Sequence, residues 1–262
     1  MNLSISNIAW SKANDEEMYK YISDNGLKGL EIAPTRLFGD HPYDELSQAK
    51  QFAINIKDKY NLEIPSIQSI LFGKTERLFH SEEERRRLLN YTKKAIDFAS
   101  SINCTNLVFG SPKNRIIESD SQMHLAISFF KELGEYACKK KTTVSIEANP
   151  AIYGTNFINN TKQALSLVKQ VGSSGFMVNL DLGTIIQNNE KLEDIVDSLN
   201  LINHIHISEP QLVAIKERAL HVKLAAELKK ADYNKYVSIE TKNTDSLEEI
   251  KSSISYLKKI FR

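Results

Sequence analysis

This sequence predicts a single (β/α)₈ barrel. Short apolar, β-branched runs alternate with longer amphipathic segments from end to end. Eight such pairs fit in 262 residues, close to the roughly 250 typical of the architecture. Most of the runs are nearly continuous in apolar character, as parallel strands covered on both faces should be. A doubly wound open sheet is the competing arrangement. It is disfavoured because no Gly-x-Gly-x-x-Gly follows the first run, and the units tile the chain without a linker or low-complexity break. One domain over residues 1–262 is expected.

The first strand falls at residues 3–9. Asn14 then caps a helix, with Glu17 three positions on in capping-box spacing. Residues 29–33 give the second strand, stopped by Pro34. Residues 43–60 form a helix, with Leu46, Ala49, Ala53 and Ile56 at helical spacing. The third strand is expected at 62–70. Ser81 with Glu84 is the clearest capping box and opens a helix to about Ser101 that carries the solvated cluster Arg85-Arg86-Arg87. Residues 106–109 are the fourth strand, stopped by Gly110 and Pro112. A helix over 121–139 follows, with Leu125, Phe129, Leu133 and Tyr136 along one stripe. Residues 143–147 are the fifth strand, and Asn160 or Thr161 caps a helix through Val171. Residues 175–181 are the sixth strand, 192–199 a short helix and 202–207 the seventh strand. Residues 216–231 are helical, 236–240 the eighth strand and 245–260 the closing helix.

Bulk composition narrows the function. With 34 basic against 33 acidic residues, the formal charge of +1 is no electrostatic footprint for nucleic acid. No apolar run approaches the roughly 20 residues of a membrane helix. Residues 1–10 lack a secretory pattern, so Cys104 and Cys138 read as reduced thiols of a cytoplasmic protein.

The chemistry gathers where strands stop. Glu147, Asp181, His206 and Glu240 end the fifth to eighth strands, each about one βα unit from the next. In such a barrel, function concentrates at the C-terminal strand ends. Four adjacent ends curve around one quadrant, so the side chains can converge. Three facing carboxylates would repel and shift each other's pKa unless a cation sat between them. One divalent ion meets that need: three oxygen donors and an imidazole suit Mn²⁺ first, then Mg²⁺, Co²⁺ or Zn²⁺. The alternative is that these acids are helix caps or partners of lysines. His204 shares a strand face with His206 one layer deeper and reads as a barrel-interior residue.

The runs Gly29-Leu30-Glu31-Ile32, Ser145-Ile146-Glu147, Asn179-Leu180-Asp181, His204-Ile205-His206 and Ser238-Ile239-Glu240 resemble the xylose isomerase-like TIM barrels. That family holds sugar and sugar-phosphate isomerases and epimerases, with D-tagatose 3-epimerase as a relative, and the endonuclease IV enzymes. The resemblance implies that Glu147, Asp181, His206 and Glu240 are metal ligands. It also implies that Glu147 and Glu240 act as an acid/base pair on opposite faces of a substrate carbon, by way of an enediolate, and a homo-oligomer would be unsurprising for relatives of this kind. Two positions depart from the pattern. Thr184 stands where epimerases of the family usually carry a second histidine, and Leu212 where they tend to have an arginine. The six histidines place too few at strand ends for an endonuclease-type multi-zinc cluster. An endonuclease IV-like phosphodiesterase and a non-catalytic sugar-binding barrel are the alternatives to an isomerase.

Further substrate contacts are expected on the rim. Glu31 ends the second strand and can bond sugar hydroxyls, and Gln68 on the third strand can do the same. Lys113 and Arg115 follow the fourth strand and can hold a phosphate or carboxylate, which favours an anionic carbohydrate. His221 opens the helix before the eighth strand and can replace a missing contact. Trp10 is better read as core than as a stacking platform.

Overall fold

The computed structural model describes residues 1–244 and 246–261. Eight parallel strands lie in the order β2-β1-β8-β7-β6-β5-β4-β3. They are β1 (Asn2–Ser6), β2 (Gly29–Glu31), β3 (Ser66–Ile67), β4 (Asn106–Phe109), β5 (Val144–Glu147), β6 (Phe176–Asp181), β7 (Ile202–Ile207) and β8 (Tyr236–Ile239). The two ends of this order meet through bridges from Gly29 to Glu63 and from Ile32 to Ile67, with Ile32 N donating to Ser66 O at 3.2 Å. The strands therefore form a barrel. Helices α1 (Asp15–Asp24), α2 (Pro34–Phe38), α3 (Leu46–Tyr60), α4 (Glu82–Ser101), α5 (Met123–Lys139), α6 (Thr161–Val171), α7 (Leu182–Asn188), α8 (Ala219–Lys230) and α9 (Leu247–Ile260) surround it.

The strand faces divide sharply. Ile5, Leu30, Ile67, Leu107, Val144, Ile146, Val178, Leu180, Ile205 and Val237 are buried in the apolar core between barrel and helices. Their neighbours of opposite parity point into the barrel, and these are polar: Ser4, Ser6, Glu31, Ser66, Asn106, Ser145, Asn179, His204 and Ser238, all buried. Asn106 joins the interior strands, donating to Ser66 Oγ at 2.9 Å and accepting from Ser145 Oγ at 2.6 Å and Asn203 Nδ2 at 2.8 Å. A satisfied network of this kind holds strand register as well as filling space. Between β6 and β7 the register slips at Val178/Asn179, so that His204 pairs with Asn179 and His206 with Asp181. The bulge sets His204 beside the amide of Asn179 and His206 beside the acid of Asp181.

Several expected elements differ from those observed. The third strand is only two residues long, Ser66–Ile67, and the positive φ of Ser69 ends it early on its C-terminal side. Pro34 does more than stop the second strand: it opens α2, where a missing N–H costs nothing. Helix α7 follows β6 directly, capped by Asp181, although no helix is expected there. Residues 192–199 form short 3₁₀ turns in place of an α-helix. Asn14 does not cap α1 with its side chain, which bonds Ser11 Oγ. Ser81 does accept from Glu84 N at 3.1 Å, as its capping box requires. The expected start of the closing helix at 245 lies outside the described residues; α9 begins at Leu247, with Ser246 accepting from Glu249 N. Trp10 is buried and donates Nε1 to Asp15 Oδ1 at 2.8 Å. No described helix is long and apolar enough to cross a membrane.

Candidate metal and substrate site

Glu147, Asp181, His206 and Glu240 converge. One ligand atom from each lies within 4.8 Å of the others, an arrangement that can hold a metal ion. His206 Nδ1 is 3.0 Å from Glu147 Oε1 and 3.1 Å from Glu240 Oε2. The strand ends deliver these groups because β5, β6, β7 and β8 are adjacent: Glu147, Asp181 and His206 are the last inward positions of the first three, and Glu240 directly follows β8.

Each group has its own supports. Glu147 accepts from Asn179 Nδ2 at 2.8 Å and from Asn149 Nδ2 at 3.2 Å. Asp181 Oδ2 caps α7 through Thr184 N at 2.7 Å, while its Oδ1 accepts from Ser208 Oγ. Thr184 Oγ1 lies 2.9 Å from the same Oδ2 and 2.8 Å from Ala148 O, linking the ends of β5 and β6. Capping and site roles thus coexist at Asp181. Gly110, at the end of β4, leaves room for the acid beside it: a Cβ there would stand 2.8 Å from Glu147 Oε2.

The electrostatics are those of a cation-seeking cluster. Burial, reinforced by Glu147, raises Asp181 to about 6. Burial raises Glu240 to about 7, and the like charges of Glu147 and Asp181 push the same way, against the pull of His206. Burial disfavours a charged His206, yet Glu240, Glu31 and Glu147 together outweigh it and hold its pKa well above the ordinary value. The metal-free cluster therefore retains protons that a divalent cation would displace.

The sequence profile of the xylose isomerase-like TIM barrels matches residues 19–260. The chain belongs to that family. No curated protein matches it by sequence. Among solved structures, D-psicose 3-epimerase from Clostridium cellulolyticum H10, determined with D-tagatose, superposes with a TM-score of 0.84 at 14% identity over 100% of both chains. The 3-keto-D-glucoside 4-epimerase of E. coli gives 0.81 at 16% identity over 99% of both. A probable 3-DHS dehydratase of Bacillus anthracis gives 0.71 at 16% identity over 98% of both. At such identities the likeness is one of fold.

Within this xylose isomerase-like barrel, a cavity of ≈ 440 Å³ opens beside the quartet. Its walls include Gln68, Lys113, Glu147, Asn149 and Glu240, with Phe72 and Leu212 on the apolar side. Gln68 and Lys113 thus stand where substrate contacts are expected, with Gln68 Nε2 also donating to Ser6 Oγ at 2.5 Å. The other three rim expectations need correction. Arg115 has no exposed surface and is not free to hold an anion. It donates to Gly110 O at 2.6 Å, Phe157 O at 2.7 Å, Glu147 O at 2.7 Å and Asn149 Oδ1 at 2.5 Å. Burial lowers it to about 10, so it stays charged at neutral pH and acts as an internal brace. Glu31 is equally enclosed and faces His206 and His204 beneath the quartet. His221 is buried between α8 and α9, its Nδ1 3.1 Å from Tyr256 Oη, and burial lowers it to about 4.

Asn149 and Asn179 are site residues that the sequence reading missed. Asn179 was within reach of it, since it lies two positions before Asp181 on the same strand face. Asn149 follows its strand, and only the loop path turns its amide back to Glu147.

Proposed function

We propose that this protein is a metal-dependent isomerase or epimerase of a sugar or sugar phosphate. Proton transfer takes place at the carbon next to a carbonyl. The convergence of Glu147, Asp181, His206 and Glu240 beside an open cavity supports this reading above all else. The four residues would hold one divalent ion, Mn²⁺ in first place given the oxygen majority. Bound there, the ion supplies Lewis-acid polarisation of a carbonyl and its neighbouring hydroxyl.

The two glutamates carry the proton work. Glu147 ends β5 and Glu240 directly follows β8, and both line the cavity. A substrate carbon between them gives its hydrogen to one carboxylate and regains one from the other, on the opposite face or at the adjacent carbon. Asn149 and Asn179 keep Glu147 aimed, and His206 does the same for Glu240. The structural neighbours named as sugar epimerases support the same class.

The substrate is read as anionic. Lys113 and Lys74 both line the cavity, and neither makes an ion pair among the described residues. The extra histidines of an endonuclease-type cluster are not found at the mouth among the described residues. His204 lies below the quartet, in a second group with Glu31 and His206 that could hold an ion. His221 sits on α8 facing Tyr256 of α9, and His41, His80 and His124 are exposed outside the cavity.

The test is metal analysis of the purified protein, then incubation of the metal-loaded form with sugars and sugar phosphates in deuterated solvent. Deuterium should enter one substrate at a carbon beside its carbonyl. Glu147→Gln and Glu240→Gln should each slow that exchange by at least about 10²-fold. If no carbon-bound hydrogen exchanges across the panel, the isomerase reading fails.

A further inference from the structure

Glu31 is a carboxyl with no exposed surface, set inside a barrel whose mouth already holds three acids. A charge so placed is costly unless donors surround it. They do: Oε1 is bonded to His206 Nε2 at 3.0 Å and Oε2 accepts from Ser238 Oγ at 3.0 Å, while His204 Nε2 stands 3.4 Å from Oε1 without a hydrogen bond. The other nitrogen of the same His206 ring faces the quartet, 3.0 Å from Glu147 Oε1.

We propose that Glu31 is the positioning residue of the quartet. By accepting the Nε2 hydrogen of His206, it commits that imidazole to presenting Nδ1 to Glu147, Asp181 and Glu240. The assignment rests on the metal-site reading above and adds the device that orients its one nitrogen ligand.

A neutral imidazole carries one N–H, and the hydrogen bond made by one nitrogen decides whether the other keeps a lone pair. An ionised Glu31 has no hydrogen to give and can only accept, so the 3.0 Å contact sets the hydrogen on Nε2. On its other side the ring turns Nδ1 to the quartet, 3.0 Å from Glu147 Oε1 and 3.1 Å from Glu240 Oε2. The ring itself is confined, because His204 packs edge-on beneath it with centroids 5.4 Å apart and planes at 88°.

The backbone fixes Glu31 as firmly. Ser6 of β1 pairs with Glu31 in register. Two positions earlier on the same face, Gly29 lets β2 press close: a Cβ there would stand 2.8 Å from Ser4 Cβ, Pro65 Cγ and Tyr236 Cε1. Strand β2 can thus neither slide nor lift, and the carboxylate stays under His206. A charge that merely filled the barrel would influence stability alone. A positioning carboxylate also sets which nitrogen binds and how tightly.

The experiment uses ¹⁵N-histidine-labelled protein, metal-free and titrated with Zn²⁺ as a diamagnetic probe, with affinities measured by calorimetry for the parent, Glu31→Gln and Glu31→Asp. In the metal-free parent, one histidine should show a slowly exchanging Nε2 hydrogen. It should persist in the zinc complex while Nδ1 becomes the ligand. Glu31→Gln should bind Zn²⁺ about 10- to 100-fold more weakly, and Glu31→Asp should recover part of the loss. Affinity of Glu31→Gln within about threefold of the parent, or Nε2 as the zinc-bound nitrogen, would overturn the assignment. If the parent takes up no metal, the metal-site reading falls instead. The Nε2 hydrogen in the metal-free parent, kept or lost in Glu31→Gln, then decides the role of Glu31 by itself.

Discussion

Replacing Arg115 with Met separates an internal brace from a substrate contact. The guanidinium serves four acceptors: the carbonyls of Gly110, Phe157 and Glu147 and the side-chain oxygen of Asn149. Methionine fills much of the same volume and donates to none of them. An acceptor left buried and unpaired costs about 1 kcal/mol at the low end of the measured range, so four give about 4 kcal/mol. That is a large share of the 5–15 kcal/mol by which domains are usually stable. Urea denaturation should therefore show a much lower midpoint for Arg115→Met. Arg115→Lys should fall between the two, because one ammonium cannot reproduce a planar fork with five donors. It retains enough structure to be assayed if the methionine variant does not fold. Suppose instead that Arg115→Met unfolds within about 1 kcal/mol of the parent and that KM for an anionic substrate rises sharply. The brace would then be refuted and the anion-binding role restored.

Three further outcomes follow from the site. Metal affinity should fall as pH falls. Glu240 and Asp181 take up protons near about 7 and about 6, and below those values the ion must displace them. Each proton displaced contributes about tenfold per pH unit, so constant affinity by calorimetry from about pH 8 to pH 5.5 would contradict the cluster. Lys113→Ala should raise KM for an anionic substrate with little change in kcat, the signature of uniform binding lost from the cavity wall; equal turnover of a neutral ketose by the parent would remove the anion argument. Gly110→Ala should push the Glu147 carboxylate aside, since the added Cβ would stand 2.8 Å from its Oε2. Activity should drop by at least about tenfold with a nearly unchanged melting temperature, and unaltered kinetics would show that Glu147 does not depend on that gap.

The sequence by itself determined the barrel and the four residues at its mouth. Periodicity reports which positions are apolar, and in parallel strands the last inward position is legible from parity. The strands Asn106–Phe109 and Ile202–Ile207 stand where that reasoning puts them. So do Glu147, Asp181, His206 and Glu240, brought within reach of one another. What the tertiary structure decided is the destination of charges whose partners are distant in sequence. Glu31 and His206 meet across the barrel interior, Arg115 finds carbonyls of three different segments, and His221 turns to Tyr256 of α9. Local pattern gives these a strand end, a loop or, for His221, the start of a helix, positions that read equally well as solvent-facing. Hydrogen-bond partners settle a buried polar group, because burial without them costs more than the marginal stability of a domain can bear. Those partners become neighbours only when the barrel closes.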